Sequence, residues 1–280
     1  MLSAGFPFVH TRTGRMGTST ARAGTALITG ASSGIGAALA KRFAAGGHPL
    51  VLVARSGDKL ARLAESLTRE YRVKILVQPA DLAKPDTARA LSAALKRRRV
   101  AVDILVNNAG ALQQGPFIAI PPRRHQDLID LNVSGLTAML AQFLPAMRRR
   151  RRGRVLNVAS IAAFQPVPTL ATYAATKAFV LSLSESLSEE LREFGITVTA
   201  LCPGITATQM LTAATDANSS LAKLPGFLVG DAAKVADEGY RACMQGVAIK
   251  VPGAINQAVT LASRATPKAL LRRIAGALTG

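Results

Sequence analysis

The sequence is short of the residue types on which several common functions depend. It has no tryptophan, three tyrosines and nine phenylalanines among 280 residues, which argues against binding single-stranded nucleic acid by base stacking. Two cysteines, Cys202 and Cys243, are too few for a disulfide framework. The three histidines, His10, His48 and His125, do not have the spacing of a zinc site. We therefore expect neither a disulfide scaffold nor metal chemistry.

Acidic residues are also scarce. The chain has 16 Asp and Glu and 35 Lys and Arg, so the formal net charge is +19. No acidic residue precedes Asp58, and none lies between Asp130 and Glu185. Such a positive field favours anionic ligands, for example a phosphate group. Two arginine runs, Arg97–Arg99 and Arg148–Arg152, fall where helices are predicted to end, and the helix dipole favours cations there.

The first 23 residues differ from the rest. They are rich in Ser, Thr and Arg, and they show neither helical nor strand periodicity. We expect a disordered tail, or translation from an upstream start codon with Met16 as the true first residue; a transit peptide is the alternative. No segment is predicted to span a membrane, because even an uncharged run as long as Val155–Thr176 contains polar residues and prolines.

From Gly24 onward, short runs rich in Val, Ile and Leu alternate with longer segments of helical periodicity. This alternation predicts a single α/β domain over residues 24–252: a doubly wound parallel sheet of about seven strands, that is, a Rossmann fold. A basic amphipathic helical extension is expected over residues 253–280. The predicted strands are Thr25–Thr29, Leu50–Ala54, Val73–Val77, Val102–Val106, Arg154–Ala159, Ile196–Cys202 and Ala248–Val251, with helices near 35–46, 58–71, 86–99, 123–150, 171–194, 206–222 and 231–246.

A glycine-rich turn follows the first strand and opens the first helix. Its sequence is Gly30-Ala31-Ser32-Ser33-Gly34-Ile35-Gly36. A strand, a glycine turn and a helix N-terminus together suit a pyrophosphate, because unpaired N–H groups and the positive end of the helix dipole face the anion. Gly30 would make the turn, Gly34 would admit the phosphates, and Gly36 would let helix and strand pack closely.

The spacing Thr29-Gly30-x-x-x-Gly34-x-Gly36 resembles that of the short-chain dehydrogenase/reductase family. Three further motifs match: Asp81-Leu82 after the third strand, Asn107-Asn108-Ala109-Gly110 after the fourth, and Pro203-Gly204 with Thr208 after the sixth. The resemblance extends from about Ala26 to Val251. It implies a nicotinamide cofactor held by Gly30, Ser32, Ser33, Gly34, Ile35, Gly36, Asp81, Leu82, Asn108, Ala109, Gly110, Tyr173, Lys177, Pro203, Gly204 and Thr208.

Charge distinguishes between the two nicotinamide cofactors. Enzymes that use NAD(H) place Asp or Glu about 20 residues after the loop to bind the ribose 2′-hydroxyl. Here the second strand ends in Arg55-Ser56, and no carboxylate precedes Asp58. A guanidinium beside a hydroxyl suits a 2′-phosphate. The sequence therefore predicts NADP(H) rather than NAD(H).

Tyr173 and Lys177 lie four residues apart in a predicted helix and so share one face. With Ser160 and Asn132 they resemble the family's Asn–Ser–Tyr–Lys tetrad; Thr176 replaces the serine that usually precedes the lysine. We expect Tyr173 to exchange a proton with the substrate oxygen, and a nearby ammonium to lower its pKa from about 10. The resemblance implies that Ser160 bonds the same oxygen, that Lys177 holds the ribose, and that Asn132 fixes a relay water.

The substrate side is less defined. Residues 206–229 are mostly uncharged and read as a mobile lid, which favours a hydrophobic carbonyl or alcohol substrate. The alternatives are a 3-oxoacyl-carrier-protein reductase and a non-catalytic nucleotide sensor. We expect a cytoplasmic homodimer or homotetramer. Nucleic-acid binding is not expected, whereas the C-terminal segment could contact a membrane surface or a second subunit.

Overall fold

A seven-stranded sheet of parallel strands forms the centre of the protein, in the order β3-β2-β1-β4-β5-β6-β7. The computed structural model describes residues 23–206 and 230–265. This order and the all-parallel pairing confirm the predicted doubly wound Rossmann fold. The strands are β1 (Ala26–Thr29), β2 (Leu50–Ala54), β3 (Ile75–Pro79), β4 (Ile104–Asn107), β5 (Gly153–Val158), β6 (Ile196–Leu201) and β7 (Ile249–Lys250).

Helices cover both faces of the sheet because alternate strand residues point to opposite sides. Leu27 belongs to the core beneath α3, α5 and α6, whereas Ile28 belongs to the core beneath α1, α2 and α7. In chain order the helices are α1 (Gly34–Ala45), α2 (Gly57–Tyr71), α3 (Thr87–Arg97), α4 (Pro122–Ile129), α5 (Leu136–Arg150), α6 (Ala171–Glu190), α7 (Ala232–Gln245) and α8 (Ala254–Ala265).

Several predicted elements differ from those observed. The third strand begins two residues later than predicted, because Val73 packs in the core below the strand and pairing with β2 starts at Ile75. The fourth strand also begins two residues later, at Ile104, because Val102 packs in the core before the pairing starts. β3 is an edge strand, so it tolerates Pro79, which has no N–H to donate. The predicted helix over 123–150 is α4 and α5 joined by a π-helical segment, Asp130–Gly135. The predicted helix over 206–222 lies almost wholly outside the described residues.

The helical run Pro122–Arg150 is long and apolar enough to cross a membrane, by length and composition alone. Its large apolar side chains are nevertheless used inside the protein. Leu136, Met139, Phe143 and Met147 are buried in the core beneath the sheet. One face of α5 therefore belongs to the core, as in a helix that covers a sheet.

The chain reverses direction across the sheet between β1 and β4, and this is where ligands bind in such folds. The Thr29 hydroxyl, at the end of β1, accepts hydrogen bonds from the N–H groups of Asn108 and Ala109, both at 2.9 Å. The side-chain amide of Asn108 donates in return to the carbonyl oxygens of Thr29 and Gly30, at 2.9 and 3.2 Å. These bonds fix the first glycine of the loop against the end of β4.

Replacing Thr29 tests this connection. Thr29→Val keeps the shape of the side chain but leaves two partly buried N–H groups without an acceptor, so we expect the free energy of unfolding to fall by about 2–3 kcal/mol. Thr29→Ser keeps the hydroxyl and loses one methyl group, so it should cost about 1 kcal/mol. Urea unfolding measures both; equal losses in the two variants would contradict the role given to the hydroxyl.

Candidate active site

The glycine-rich loop has the geometry that an anion cradle requires. Gly30 has φ +63°, in the left-handed region that favours glycine. A methyl group on Gly36 would collide with the Gly30 carbonyl oxygen and the Asn108 amide, so helix α1 can approach the loop only without a side chain there. Ser33, at the N-cap of α1, makes no side-chain capping bond, and the first turn has no acidic residue. The first amides of α1 are therefore free to bind an anion.

A cavity of about 610 Å³ runs from this loop to the far end of β5. Of the residues predicted to bind a cofactor, all but one line it; Thr208 is the exception, because it lies outside the described residues. The structure thus places on one continuous surface Gly30, Ser32, Ser33, Gly34, Ile35, Gly36, Arg55, Ser56, Asp81, Leu82, Asn108, Ala109, Gly110, Tyr173, Lys177, Pro203 and Gly204.

One end of the cavity carries two cations. Arg55 follows β2, and Lys59 lies in the first turn of α2; both line the cavity beside Ser32 and Ser56. Sequence reasoning missed Lys59. Its position at the start of the helix that follows Arg55 was a usable signal, because that helix begins at the same edge of the sheet. Two cations and two hydroxyls form an anion site suited to a phosphate group.

The other end brings together Ser160, Tyr173 and Lys177. Ser160 follows β5 and its hydroxyl accepts a hydrogen bond from the Ala162 N–H at 3.2 Å, which orients it. Tyr173 and Lys177 lie in the first two turns of α6 and face the cavity together. The Lys177 ammonium donates to the Val158 carbonyl oxygen at 2.9 Å and lies 5.7 Å from the centroid of the Tyr173 ring.

Burial dominates the electrostatics of this pair. It raises the pKa of Tyr173 above its usual value, and a hydrogen bond with Ser160 opposes that rise only in part. Burial also lowers the pKa of Lys177 to about 8, although the neighbouring Cys202 acts in the opposite direction. The spacing of Tyr173 and Lys177 predicts that the ammonium lowers the pKa of the tyrosine. The structure instead indicates a raised pKa, because desolvation of the phenol is the larger effect.

Asn132 lies behind the cavity wall. It is buried in the π-helical segment, where the irregular turn directs its amide towards Ala111 and α6. Its Nδ2 donates to the Ala111 carbonyl oxygen at 3.0 Å and to the Thr176 hydroxyl at 3.1 Å, and its Oδ1 accepts from the Ala111 N–H at 2.9 Å. Thr176, the departure from the family pattern, therefore positions Asn132. Both amide donors are used, so only Oδ1 has a free lone pair for a water.

A Rossmann sheet whose glycine-lined cleft leads to a partly buried tyrosine and a buried lysine defines a dinucleotide-dependent oxidoreductase. The family model of the short chain dehydrogenases matches residues 24–219. The chain belongs to this family, which confirms the resemblance noted in the sequence.

Individual relatives support the family assignment. The chain is 40% identical over 201 residues to a putative ketoacyl reductase of the granaticin polyketide synthase from Streptomyces violaceoruber, covering 69% of this chain and 73% of the relative. A short-chain dehydrogenase from Sphingobium yanoikuyae, solved with NADPH, is 34% identical with a TM-score of 0.74, over 88% of this chain and 97% of that one. The bulky-bulky ketone specific alcohol dehydrogenase from Comamonas testosteroni is 32% identical with a TM-score of 0.73, over 89% and 96%.

The buried Lys177 makes stability depend on pH in a defined direction. Its folded pKa of about 8 lies below the ordinary value of 10.5, so between these pH values the unfolded chain binds a proton that the folded chain releases. Stability should therefore rise with pH across this window. Relative to Lys177→Met, which lacks the group, the wild-type free energy of unfolding should increase by roughly 3 kcal/mol between pH 7 and pH 10.5.

Urea unfolding of both proteins across this pH range measures the difference. Other titrating groups are common to the two proteins and cancel in the comparison. A difference that stays constant with pH, or that shrinks as pH rises, would contradict the burial of a charged amine at this position.

Proposed function

We propose that this protein is an NADP(H)-dependent oxidoreductase that interconverts a hydrophobic carbonyl compound and its secondary or primary alcohol, with Tyr173 as the proton donor or acceptor. The observation that carries the proposal is the continuous cavity, which joins the glycine-rich loop at one end to Ser160, Tyr173 and Lys177 at the other. A nicotinamide dinucleotide is the cofactor whose length and charges match such a cavity.

The residues present fit NADP(H) part by part. The loop amides and the N-terminus of α1 would hold the pyrophosphate, while Asp81 and Leu82 would contact the adenine. Arg55 and Lys59 would bind the ribose 2′-phosphate, which distinguishes NADP(H) from NAD(H). The NADPH bound in the Sphingobium relative supports this choice. When bound, the cofactor supplies or accepts the hydride.

Each polar group at the reacting end has a proposed part. The Tyr173 hydroxyl transfers a proton to or from the substrate oxygen. Ser160, oriented by the Ala162 N–H, donates a hydrogen bond to the same oxygen where negative charge develops. Lys177 is protonated near neutral pH, since its pKa is about 8, and its positive charge stabilises the phenolate that Tyr173 forms after giving up its proton. Asn132 holds α6 and the Ala111 loop in place and accepts a hydrogen bond from a relay water through Oδ1.

The substrate end of the cavity is mainly apolar, which supports a hydrophobic substrate. Gln165 is the polar side chain among the lining residues between the Ser160–Ala162 turn and α6. The apolar lining consists of Leu112, Ile161, Ala162, Val167, Leu170 and Ile205. Apolar walls of this kind bind a bulky ketone through the burial of apolar surface rather than through specific hydrogen bonds.

The second candidate is a 3-oxoacyl thioester reductase, which the printed name of the granaticin relative favours. It uses the same Tyr173 chemistry and differs in the group attached to the carbonyl. A non-catalytic nucleotide sensor has no use for a buried Ser–Tyr–Lys group, so we place it last. The homodimer or homotetramer and the cytoplasmic location stay predictions.

Tyr173→Phe tests the proton-transfer role. The variant keeps the ring and loses only the hydroxyl, so turnover should fall by about a thousandfold while the Kd for NADPH stays within about twofold. Turnover is followed as oxidation of NADPH with a panel that contains bulky ketones and 3-oxoacyl thioesters. Tyr71→Phe, at the end of α2 and away from the cavity, is the matched control and should keep wild-type turnover.

The same panel separates the two candidate functions, since bulky ketones and 3-oxoacyl thioesters are assayed side by side. Turnover of Tyr173→Phe at the wild-type rate would refute the assignment of the proton donor. NADPH binding without turnover of any compound by the wild-type protein would favour the sensor.

Arg55→Asp tests the phosphate-binding end. Placing a carboxylate where a guanidinium meets the 2′-phosphate should lower the ratio of kcat/KM for NADPH to that for NADH by about a hundredfold, because charge-assisted hydrogen bonds are replaced by repulsion. Arg62→Asp makes the same charge change on the exposed face of α2, outside the cavity, and should leave the ratio unchanged. Equal effects of the two variants would indicate a general charge effect rather than a phosphate site.

A further inference from the structure

Helix α8 is oriented with its apolar side outward. The exposed residues include Leu261 at 71% exposure, Ile255 at 54% and Val259 at 45%, and the alanines at 254, 258 and 262 are also exposed. At 100° per residue these positions form one continuous arc, which we call the apolar face of α8. A helix at the surface of a water-soluble domain normally turns such a face inward.

The buried side of α8 is polar and complete in its hydrogen bonds. Thr260 and Ser263 are buried, and their hydroxyls donate to the carbonyl oxygens of Asn256 and Thr260, at 2.7 and 2.8 Å. Asn256 donates to the Pro252 carbonyl oxygen at 2.8 Å and packs so closely on Gly204 that a methyl group there would lie 2.5 Å from its Oδ1. Close packing of small polar residues therefore fixes the orientation of the helix without using its apolar face.

The sequence around α8 has charge of one sign. No acidic residue follows Glu238, whereas six cations do: Arg241, Lys250, Arg264, Lys268, Arg272 and Arg273. Arg241 and Lys250 form ion pairs with Asp237 and Glu238. The four cations of the sequence from Arg264 to Arg273 have no acidic residue near them along the chain. A second copy of the chain would bring a like-charged segment to this face, whereas an anionic lipid surface is complementary to it.

We propose that the apolar face of α8 docks on the surface of an anionic lipid bilayer. An exposed apolar helix face in a segment whose sequence carries cations and no acidic residue is the combination that places a helix at the level of the lipid head groups. α8 packs against the 3₁₀ turn Ile161–Phe164, and Ile161, Ala162 and Gly204 line the cavity. The docked helix therefore holds the cavity next to the membrane. This proposal does not depend on the substrate proposed above.

The absence of tryptophan from the chain provides a clean probe. Leu261→Trp places a single indole on the apolar face of α8, and Val247→Trp places one in the exposed connection before β7, at the opposite edge of the sheet. The full chain is mixed with vesicles of phosphatidylcholine containing about one-third phosphatidylglycerol. We expect the emission of Leu261→Trp to shift to shorter wavelength and that of Val247→Trp to stay unchanged.

Flotation with the same vesicles measures binding directly. Wild-type protein should float with anionic vesicles and far less with phosphatidylcholine alone. In Ile255→Gln/Val259→Gln/Leu261→Gln the exposed apolar groups are replaced without any change of charge, so the partition coefficient should fall at least about tenfold. The control Val247→Gln should float as wild type does. Equal unfolding temperatures confirm that the variants are folded.

Three results would overturn the proposal. The first is wild-type protein that stays unbound to both vesicle types. The triple variant could bind as strongly as wild type, which would assign the contact to the arginine runs at the opposite edge of the sheet. Light scattering could show that the triple variant loses subunits while membrane binding is unchanged, which would make the apolar face a subunit interface. NADPH binding is measured in parallel and is expected to be the same in all variants.

Discussion

The buried ammonium of Lys177 is the interaction on which the reacting end of the cavity depends. It reaches across from the second turn of α6 to the carbonyl oxygen of Val158, at the end of β5, so helix and strand must keep a fixed distance. Burial lowers the pKa of the amine to about 8, which keeps it charged near neutral pH but close to losing its proton. The parallel neighbours of β5 and the core beneath α6 hold this geometry. Tyr173 and Ser160 then lie beside the charge as a consequence.

Spacing along the chain was enough to predict much of the site. Tyr173 and Lys177 are four residues apart on a helix, and Ser160 follows a buried strand, so the fold class alone brings them to one edge. The direction of the Asn132 side chain was not predictable. A π-helical turn differs from an α-helix by one residue per hydrogen-bonded ring, and this difference does not change the pattern of apolar residues in the sequence. Lys59 was missed because only the family position at Arg55 was considered. The late start of β3 reflects a core contact of Val73 that hydrophobicity cannot distinguish from strand pairing.

The direction of the helices explains how the positive charge is distributed. In a parallel sheet each covering helix runs opposite to the strands, so the C-termini of α3 and α5, with their arginines, lie at the amino edge. There Arg150 and Arg152 both approach Asp103, at 3.9 and 3.3 Å. The cations of the cavity, Arg55 and Lys59, lie at the carboxyl edge instead. The arginine runs and the two cavity cations thus lie at opposite edges of the sheet, and the arginine runs are away from a phosphate bound in the cavity.

Helix α8 packs against the wall of the cavity on its polar side and leaves its apolar face exposed on the other. Asn256 occupies the space that a side chain on Gly204, which lines the cavity, would need, so the polar side of the helix can pack this closely only against a glycine. The hydroxyls of Thr260 and Ser263 bond within the helix, so burying them costs little. The stability of the domain therefore does not require Ile255, Val259 and Leu261 to be apolar, and exposing them to water is unfavourable. A surface that contacts the apolar face lies close to the cavity, because α8 packs on Gly204 and on the Ile161–Phe164 turn. Contact at this face and ligand binding therefore depend on the position of the same helix.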